Sequence, residues 1–286
     1  MTWAVTGADG QLGTALRNLS PGESRCDFHP LTHRDLDITK LPDVERLFGE
    51  MRPDGVINTA AYNFVDKAEE QPLDAMKLNA GGPVVLAAVC RSLKIPLLHV
   101  STDFVFGGDK QVPYDEQDLP NPLSAYARSK LKGEQGVREG NPRHFIVRTC
   151  GVYGRAYSVG KGNFVETILR LADEREQLSV VNDQRCTPTS ARELALGICR
   201  LIQTEDWGTY HLTCQGNCSW YEFAVEILKQ AGKKTPIVPI LSSDYAAKAI
   251  RPPYSVLNCD KLERTTGFRA AAWEQALQFY LAGRES

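Results

Sequence analysis

Gly7, Gly10 and Gly13 fall at intervals of three in T-G-A-D-G-Q-L-G, directly after the apolar run W-A-V-T. Leu12, Ala15, Leu16 and Leu19 then keep helical spacing, so the glycines mark a strand-to-helix turn. Each glycine has a separate physical use. One permits the tight turn, one lets a phosphate approach the backbone, and one allows helix and strand to pack closely. The helix start, with Gln11 and Leu12 beside the turn, offers free N–H groups to a pyrophosphate. No G-K-[ST] follows, which excludes a nucleoside-triphosphate P-loop. A glycine turn without a ligand is the plainer alternative. Its place at the first strand-to-helix turn of an alternating chain favours dinucleotide binding.

That alternation runs through the first half. L-P-D-V-E-R-L-F-G-E-M reads as a helix and G-V-I-N-T-A as a strand. Residues 75–92 read as a helix with Val84, Val85, Ala88 and Val89 on one stripe, and I-P-L-L-H-V-S and H-F-I-V-R-T as buried strands. Near-continuous apolar strands between helices predict a doubly wound, Rossmann-type parallel sheet covered on both faces. After Thr149 the pattern loosens, with helices expected at 164–172, 191–202, 221–231 and 273–281 between short strands and proline-rich stretches. The chain therefore divides into a dinucleotide-binding domain over residues 1–150 and a smaller α/β substrate lobe over 151–286, part of which returns to the sheet domain.

The charge balance narrows the partners. A formal net charge of −2, with 42% hydrophobic and 24% charged residues, describes a packed chain without a global basic field. Neither a nucleic-acid nor a membrane partner is expected, and no apolar run reaches the length of a bilayer span. M-T-W-A-V-T-G-A-D-G lacks the parts of a secretory signal, so a cytoplasmic chain with reduced thiols is expected. The eight cysteines are scattered; Cys214 and Cys218 are close in sequence but have only His211 nearby, and read as structural thiols rather than metal ligands.

Y-x-x-x-K occurs twice, at Tyr126/Lys130 and Tyr157/Lys161. The second copy contains Gly160 and precedes Gly162, which disfavours a helix. The first follows Asn121-Pro122, a start signal with asparagine as N-cap and proline at the first helical position. Tyr126 and Lys130 then share one helix face. An ammonium held there favours the phenolate and lowers the tyrosine pKa toward the working range. Ser101, Thr102 and Asp103 end a strand, where open α/β sheets bind ligands; capping of a turn is their plainer use.

T-G-A-D-G-Q-L-G, N-T-A-A-Y-N-F-V-D-K-A-E, S-T-D-F-V-F and Y-A-R-S-K-L-K-G-E, in this order, resemble the extended short-chain dehydrogenase/reductases, and among these the dTDP-4-dehydrorhamnose reductase family. R-T-C-G-V-Y-G, G-K-G-N-F, N-D-Q-R-C-T-P-T-S-A-R-E-L-A and R-P-P-Y-S-V-L-N extend the resemblance over most of the chain. It implies NADPH-dependent reduction of the 4-keto group of a nucleoside-diphosphate 6-deoxy sugar. Tyr126 would donate the proton, Lys130 would tune it and hold the nicotinamide ribose, and Thr102 would polarise the carbonyl. Asp37 and Ile38 would flank the adenine, Ala61, Tyr62 and Asn63 would line the dinucleotide, and Thr102, Asp103, Gly151 and Arg185 would face the sugar nucleotide. Arg251 is a further polar candidate in the lobe. A homodimer is compatible with this family; the metal-linked form does not carry over, because the first helix lacks the glutamate that form needs.

Two departures refine the expectation. Phe104 stands where related 4,6-dehydratases carry a glutamate, which favours plain carbonyl reduction. Gly151 replaces a tryptophan common in the reductases, leaving sugar selectivity open. Arg34 suits the 2′-phosphate of NADPH, whereas Asp35 or Asp37 would suit NADH. A nucleotide-sugar epimerase with tightly held NAD, and a non-catalytic subunit resembling the methionine adenosyltransferase beta subunit, are the alternative readings.

Overall fold

The computed structural model describes residues 1–156 and 162–283, so Tyr157 and Lys161 lie outside the described residues. The chain opens with β1 (Thr2–Thr6), α1 (Gln11–Arg17), β2 (Asp27–Leu31), α2 (Leu41–Met51) and β3 (Gly55–Asn58). Two short helices, α3 (Val65–Glu70) and α4 (Pro72–Met76), lead through a π-helical turn (Lys77–Gly81) into α5 (Gly82–Leu93) and β4 (Leu97–Thr102). A 3₁₀ turn (Asp103–Val105) and an extended stretch precede α6 (Ala125–Gly140) and β5 (His144–Thr149). Then come β6 (Val152–Tyr153), α7 (Phe164–Glu174), β7 (Leu178–Val181), β8 (Arg185–Cys186), β9 (Thr189–Ser190), α8 (Ala191–Leu201) and β10 (Gly208–His211). The chain continues through β11 (Cys218–Ser219), α9 (Trp220–Gln230), β12 (Ile237–Ile240), α10 (Asp260–Thr266) and α11 (Trp273–Ala282).

Among the described residues the central sheet has six strands, all parallel, in the order β10-β5-β4-β3-β1-β2. The chain moves outward from β1 to β2 and then crosses to β3 on the other side of β1. That reversal opens a crevice at the carboxyl ends of β1 and β3, where such sheets take ligands. Both faces are covered. Leu12, Leu16, Leu194 and Ile198 pack on one face, and Val44, Phe48, Leu86 and Val137 on the other. This double cover is why every residue of β3 and β5 is buried.

The second half is divided between two cores. β10 enters the sheet beside β5, and α8 packs on α1 in the first core. The remaining lobe builds its own core from Tyr153, Ile168, Phe223, Ile227, Trp273 and Leu277, with β7 and β12 paired in parallel and β8 and β11 antiparallel. Cys214 and Cys218 are buried in that core, and all eight cysteines are free thiols.

Three expectations are corrected. Helix α6 starts at Ala125, capped by Ser124, whose Oγ accepts from the Ala127 N–H at 3.2 Å. Asn121 is used elsewhere, donating its backbone N–H to Val105 at 2.8 Å. On α5 the buried face is Leu86, Ala87, Val89 and Cys90, and Val84 is exposed. α5 is apolar on more than one side, G-P-V-V-L-A-A-V-C, so spacing alone leaves its buried face open and packing against α2 and α6 decides it. Finally, the run Pro72–Leu93 is long and apolar enough by length and composition to span a bilayer. Here its α5 part packs against α2 and α6.

Two glycines separate helix propensity from packing. Gly49 lies on the exposed face of α2 with nothing within 4 Å of a Cβ, so Gly49→Ala should stabilise the fold by about 0.5–1 kcal/mol. A Cβ on Gly133 of α6 would collide with the backbone carbonyl of Asn79, so Gly133→Ala should destabilise by about 1–3 kcal/mol despite the same propensity gain. Urea unfolding of both variants checks the opposite signs.

Candidate active site

The glycine turn sits at the crevice between β1 and β3. Gly7 has φ +68°, and a Cβ there would fall 2.7 Å from the Ala60 nitrogen; at Gly13 it would fall 2.5 Å from the Ala8 Cα. Internal packing therefore accounts for both. Gly10 differs: its φ is an ordinary −75°, and a Cβ would meet only the Gly7 carbonyl at 3.2 Å. The protein itself makes little use of the open space over Gly10, which a ligand phosphate fits. Gln11 Oε1 and Thr14 Oγ1 are buried beside the turn without hydrogen-bond partners among the described residues, while Leu12 packs into the core.

Across the crevice, Ala61, Tyr62 and Asn63 follow β3. The buried Asn79 in the π turn fixes this loop, accepting from the Tyr62 N–H at 2.7 Å and donating to its carbonyl at 3.1 Å. Beyond β2, Asp35 accepts from the Thr32 N–H and hydroxyl, at 2.8 and 2.7 Å. Asp37 does the same with Thr39, at 3.0 and 2.8 Å. These bonds hold both carboxyls below their ordinary pKa and occupy them within their own turns. Arg34 is exposed, and its guanidinium makes no hydrogen bond or ion pair among the described residues. The Ile38 side chain lies in the core, 3% exposed, against Gly82, so it has only its backbone to offer an adenine.

Tyr126 and Lys130 come together as the helical spacing predicts, both on the buried face of α6. Lys130 Nζ donates to the Val100 carbonyl of β4 at 2.7 Å. The Tyr126 phenol has the Thr102 side chain as its polar neighbour, and the Phe104 ring stands edge-on to it at 6.2 Å. The expected lowering of the tyrosine pKa is absent. Burial raises it, outweighing the contact with Thr102, and burial also brings Lys130 down to about 8. Desolvation wins because both groups are almost fully enclosed. The phenol is accordingly protonated at neutral pH.

Asp103 follows Thr102 and is 2% exposed. Its Oδ1 accepts from the Thr102 hydroxyl at 3.1 Å, while Oδ2 completes no hydrogen bond of ordinary geometry among the described residues. The Cys150 thiol and the Ser255 hydroxyl are its neighbours, and burial raises its pKa. Gly151, at φ +52°, comes next to Cys150; a Cβ there would lie 3.3 Å from both the Pro188 Cα and the Trp220 ring. An aromatic side chain from α9 thus stands against the position where the chain lacks one. Arg185 is partly exposed, donates to Asn217 at 3.1 Å and lies 3.3 Å from Glu222. Arg251 is committed elsewhere, in a two-pronged pair with Asp66 of α3 at 2.7 and 3.1 Å.

Several residues escaped the sequence reading. Glu134 lies one turn beyond Lys130 and is completely buried, bonded to Ser101 and Arg148. Its spacing from Tyr126 and Lys130 was a usable signal, as was an arginine inside the apolar strand H-F-I-V-R-T. Cys150, Ser255 and Trp220 reach the site from distant segments and carry no local signal. Among the described residues, no group of three or more histidines, cysteines and carboxylates is arranged to hold a metal.

The family described as RmlD substrate binding domain matches residues 1–285. A Sinorhizobium fredii protein named dTDP-4-dehydrorhamnose reductase is 38% identical over 289 residues, covering 96% of this chain and 95% of its own. The crystal structure of a dTDP-4-dehydrorhamnose reductase from Clostridium acetobutylicum superimposes with a TM-score of 0.94 at 40% identity, covering 100% of both chains. Another, from Bacillus anthracis in complex with NADP, gives 0.93 at 38% identity and covers 99% of both.

The room over Gly10 yields a direct test. Gly10→Val fills it with a branched side chain while φ stays allowed, so the variant should remain folded and lose affinity for NADPH and NADH by at least about tenfold. Fluorescence titration of each cofactor, with circular dichroism to establish folding, measures it. Unchanged affinity in a folded variant would remove the turn from the site.

Proposed function

This chain belongs to the family of the RmlD substrate-binding domain and the dTDP-4-dehydrorhamnose reductases, and on that premise we propose that it reduces dTDP-4-dehydrorhamnose to dTDP-L-rhamnose with NADPH. The observation that carries this reading is the Tyr126 phenol beside Thr102 at the carboxyl end of β4, with Lys130 one turn on along the same buried face of α6. A phenol that carries its proton at neutral pH can supply the one that a carbonyl oxygen takes up as its carbon is reduced, and the cationic Lys130 one turn away favours the phenolate left behind.

Bound NADPH supplies the hydride. Tyr126 gives its proton to the substrate oxygen, so that the ketone becomes a secondary alcohol, and the Thr102 hydroxyl holds that oxygen in line. Lys130, cationic below about pH 8, lies one turn from the phenolate that remains. One neighbouring chemistry fits less well. Elimination of water from a sugar needs a proton-transferring side chain where Phe104 presents a ring.

The turn from Gly7 to Gly13, with Gln11 and Leu12, takes the pyrophosphate, and Ala61, Tyr62 and Asn63 border the dinucleotide. Asp103, Gly151 and Arg185 face the sugar nucleotide. The Asp103 oxygen without a bond of ordinary geometry and the Trp220 ring beside Gly151 support that side of the assignment. Preference for NADPH is supported by Arg34, whose guanidinium has no hydrogen bond or ion pair among the described residues, whereas Asp35 and Asp37 are engaged in their own turns.

Arg34→Ala should raise the dissociation constant for NADPH about tenfold and leave that for NADH within twofold, the loss of a single phosphate-directed charge. Equal effects on both would return Arg34 to an ordinary loop charge. Tyr126→Phe keeps the ring and removes the proton; turnover of dTDP-4-dehydrorhamnose should fall by about 10²–10⁴ with little change in binding. Tyr157→Phe, in the other copy of the motif, should stay within a few-fold of the parent. Steady-state kinetics that found the loss at Tyr157 instead would overturn the site.

A further inference from the structure

Tyr126, Lys130 and Glu134 are spaced i, i+4 and i+8, and all three side chains lie on the buried face of α6. Successive residues of β4 meet them. The Val100 carbonyl accepts from Lys130, the Ser101 hydroxyl donates to Glu134 at 2.6 Å, and Thr102 neighbours Tyr126. On its other side Glu134 is gripped by Arg148 of β5, whose Nε and Nη2 donate at 2.9 and 2.7 Å. Glu134 is 0% exposed and Arg148 2%, so this carboxylate is a fixed negative charge in a dry space one turn from Lys130.

We propose that Glu134 is a positioning residue for the proton transfer: held by Ser101 and Arg148, its carboxylate keeps the neighbouring Lys130 amine in the cationic form that Tyr126 needs. The inference rests on the assignment of Tyr126 and Lys130 above. Burial alone drives Lys130 toward the neutral amine, and Glu134 is the neighbouring charge that opposes it. Among the described residues no other neighbouring group replaces that anion. From β4 comes His99, held neutral by burial and by Lys130 itself. From β5 comes Arg148, a cation turned toward Glu134. The turn after β4 brings Asp103, whose carboxyl burial pushes toward the protonated acid. The π turn contributes the neutral Asn79, bonded to Ser129 and Tyr62. Arg138, at the surface end of α6, is 3.8 Å from Glu134 and adds positive charge. Glu134 has the sign the part needs and lies one helical turn from Lys130 on the same buried face.

The test is the ionisation of Lys130. As pH rises through about 8 the parent amine loses its proton, so the alkaline limb of turnover should fall near that value. Without the anion the loss comes earlier. Glu134→Gln should move the limb down by about 1 unit or more, so that the deficit at pH 8 is about tenfold larger than at pH 6. A residue that only held the helix in place would lower turnover equally at every pH. Glu134→Gln leaves Arg148 buried without its partner, so the double variant Glu134→Gln/Arg148→Met, which removes both charges, is measured beside it. It too should show an earlier limb. ε-¹³C-lysine NMR of the folded proteins, with Lys130→Arg assigning the resonance, reads the same midpoint without turnover. A failure of the proposed reaction therefore leaves this measurement standing. A midpoint unchanged in both variants overturns the proposal, as does one lowered only while Arg148 remains, since repulsion from that arginine would then be the cause.

Discussion

Val100, Ser101 and Thr102 leave the end of β4 with three polar groups directed at one face of α6, and the arrangement of the site depends on that contact. On the same helix Gly133 lets the π turn come close: a Cβ there would collide with the Asn79 carbonyl. Asn79 in turn holds the loop of Ala61 to Asn63 and bonds Ser129 of α6 at 3.0 Å. One buried amide thus sets the distance between the loop after β3 and the helix that carries Tyr126. Breaking the buried Glu134–Arg148 pair by removing one partner would leave the other charge stranded, at a cost of about 3–5 kcal/mol. The same contact therefore serves the fold and the chemistry.

Dryness has two consequences at this contact. It strips water from Tyr126 and Lys130, which pushes the phenol toward its protonated form and the amine toward its neutral one. It also strengthens every remaining interaction between charges, because little solvent screens them. The helical spacing alone suggests a tyrosine acidified by its lysine; in the folded chain the phenol is a protonated acid, and the lysine is the group whose charge is at stake.

The two lobes are connected where the substrate side is formed. The segment that contains Tyr254, Val256 and Leu257 packs against Val105 and Phe106, directly after Asp103. Ser255 is thereby brought to the Asp103 carboxyl. A few residues earlier, Asp66 of α3 receives the N–H groups of Lys248 and Ala249 and the Arg251 guanidinium, with Lys248 also paired to Glu70. These bonds fasten the C-terminal lobe to the first half beside the loop after β3. They leave Arg185, in the same lobe, with a partly exposed side chain near the site.

Local order in the sequence determined much of this protein. Glycine spacing after an apolar run, apolar strands alternating with helices, and Tyr126 one turn before Lys130 depend on neighbours within a few residues, so the Rossmann-type sheet, the crevice and the shared helix face of Tyr126 and Lys130 were legible. Helix starts were less so, because Ser124 and Asn121 are both suitable caps and distant contacts of Asn121 decided between them. The buried stripe of α5 was not legible either, because that helix is apolar on more than one side and its contacts with α2 and α6 choose the face. Only the tertiary structure could decide that Arg34 stays uncommitted while Asp35 and Asp37 do not, that Trp220 stands against Gly151, and that Glu134 meets Ser101 and Arg148. The physical reason is common to all of these. Burial and long-range contacts set the charge state and the free space at a site, and both arise only when segments remote in sequence exclude water together.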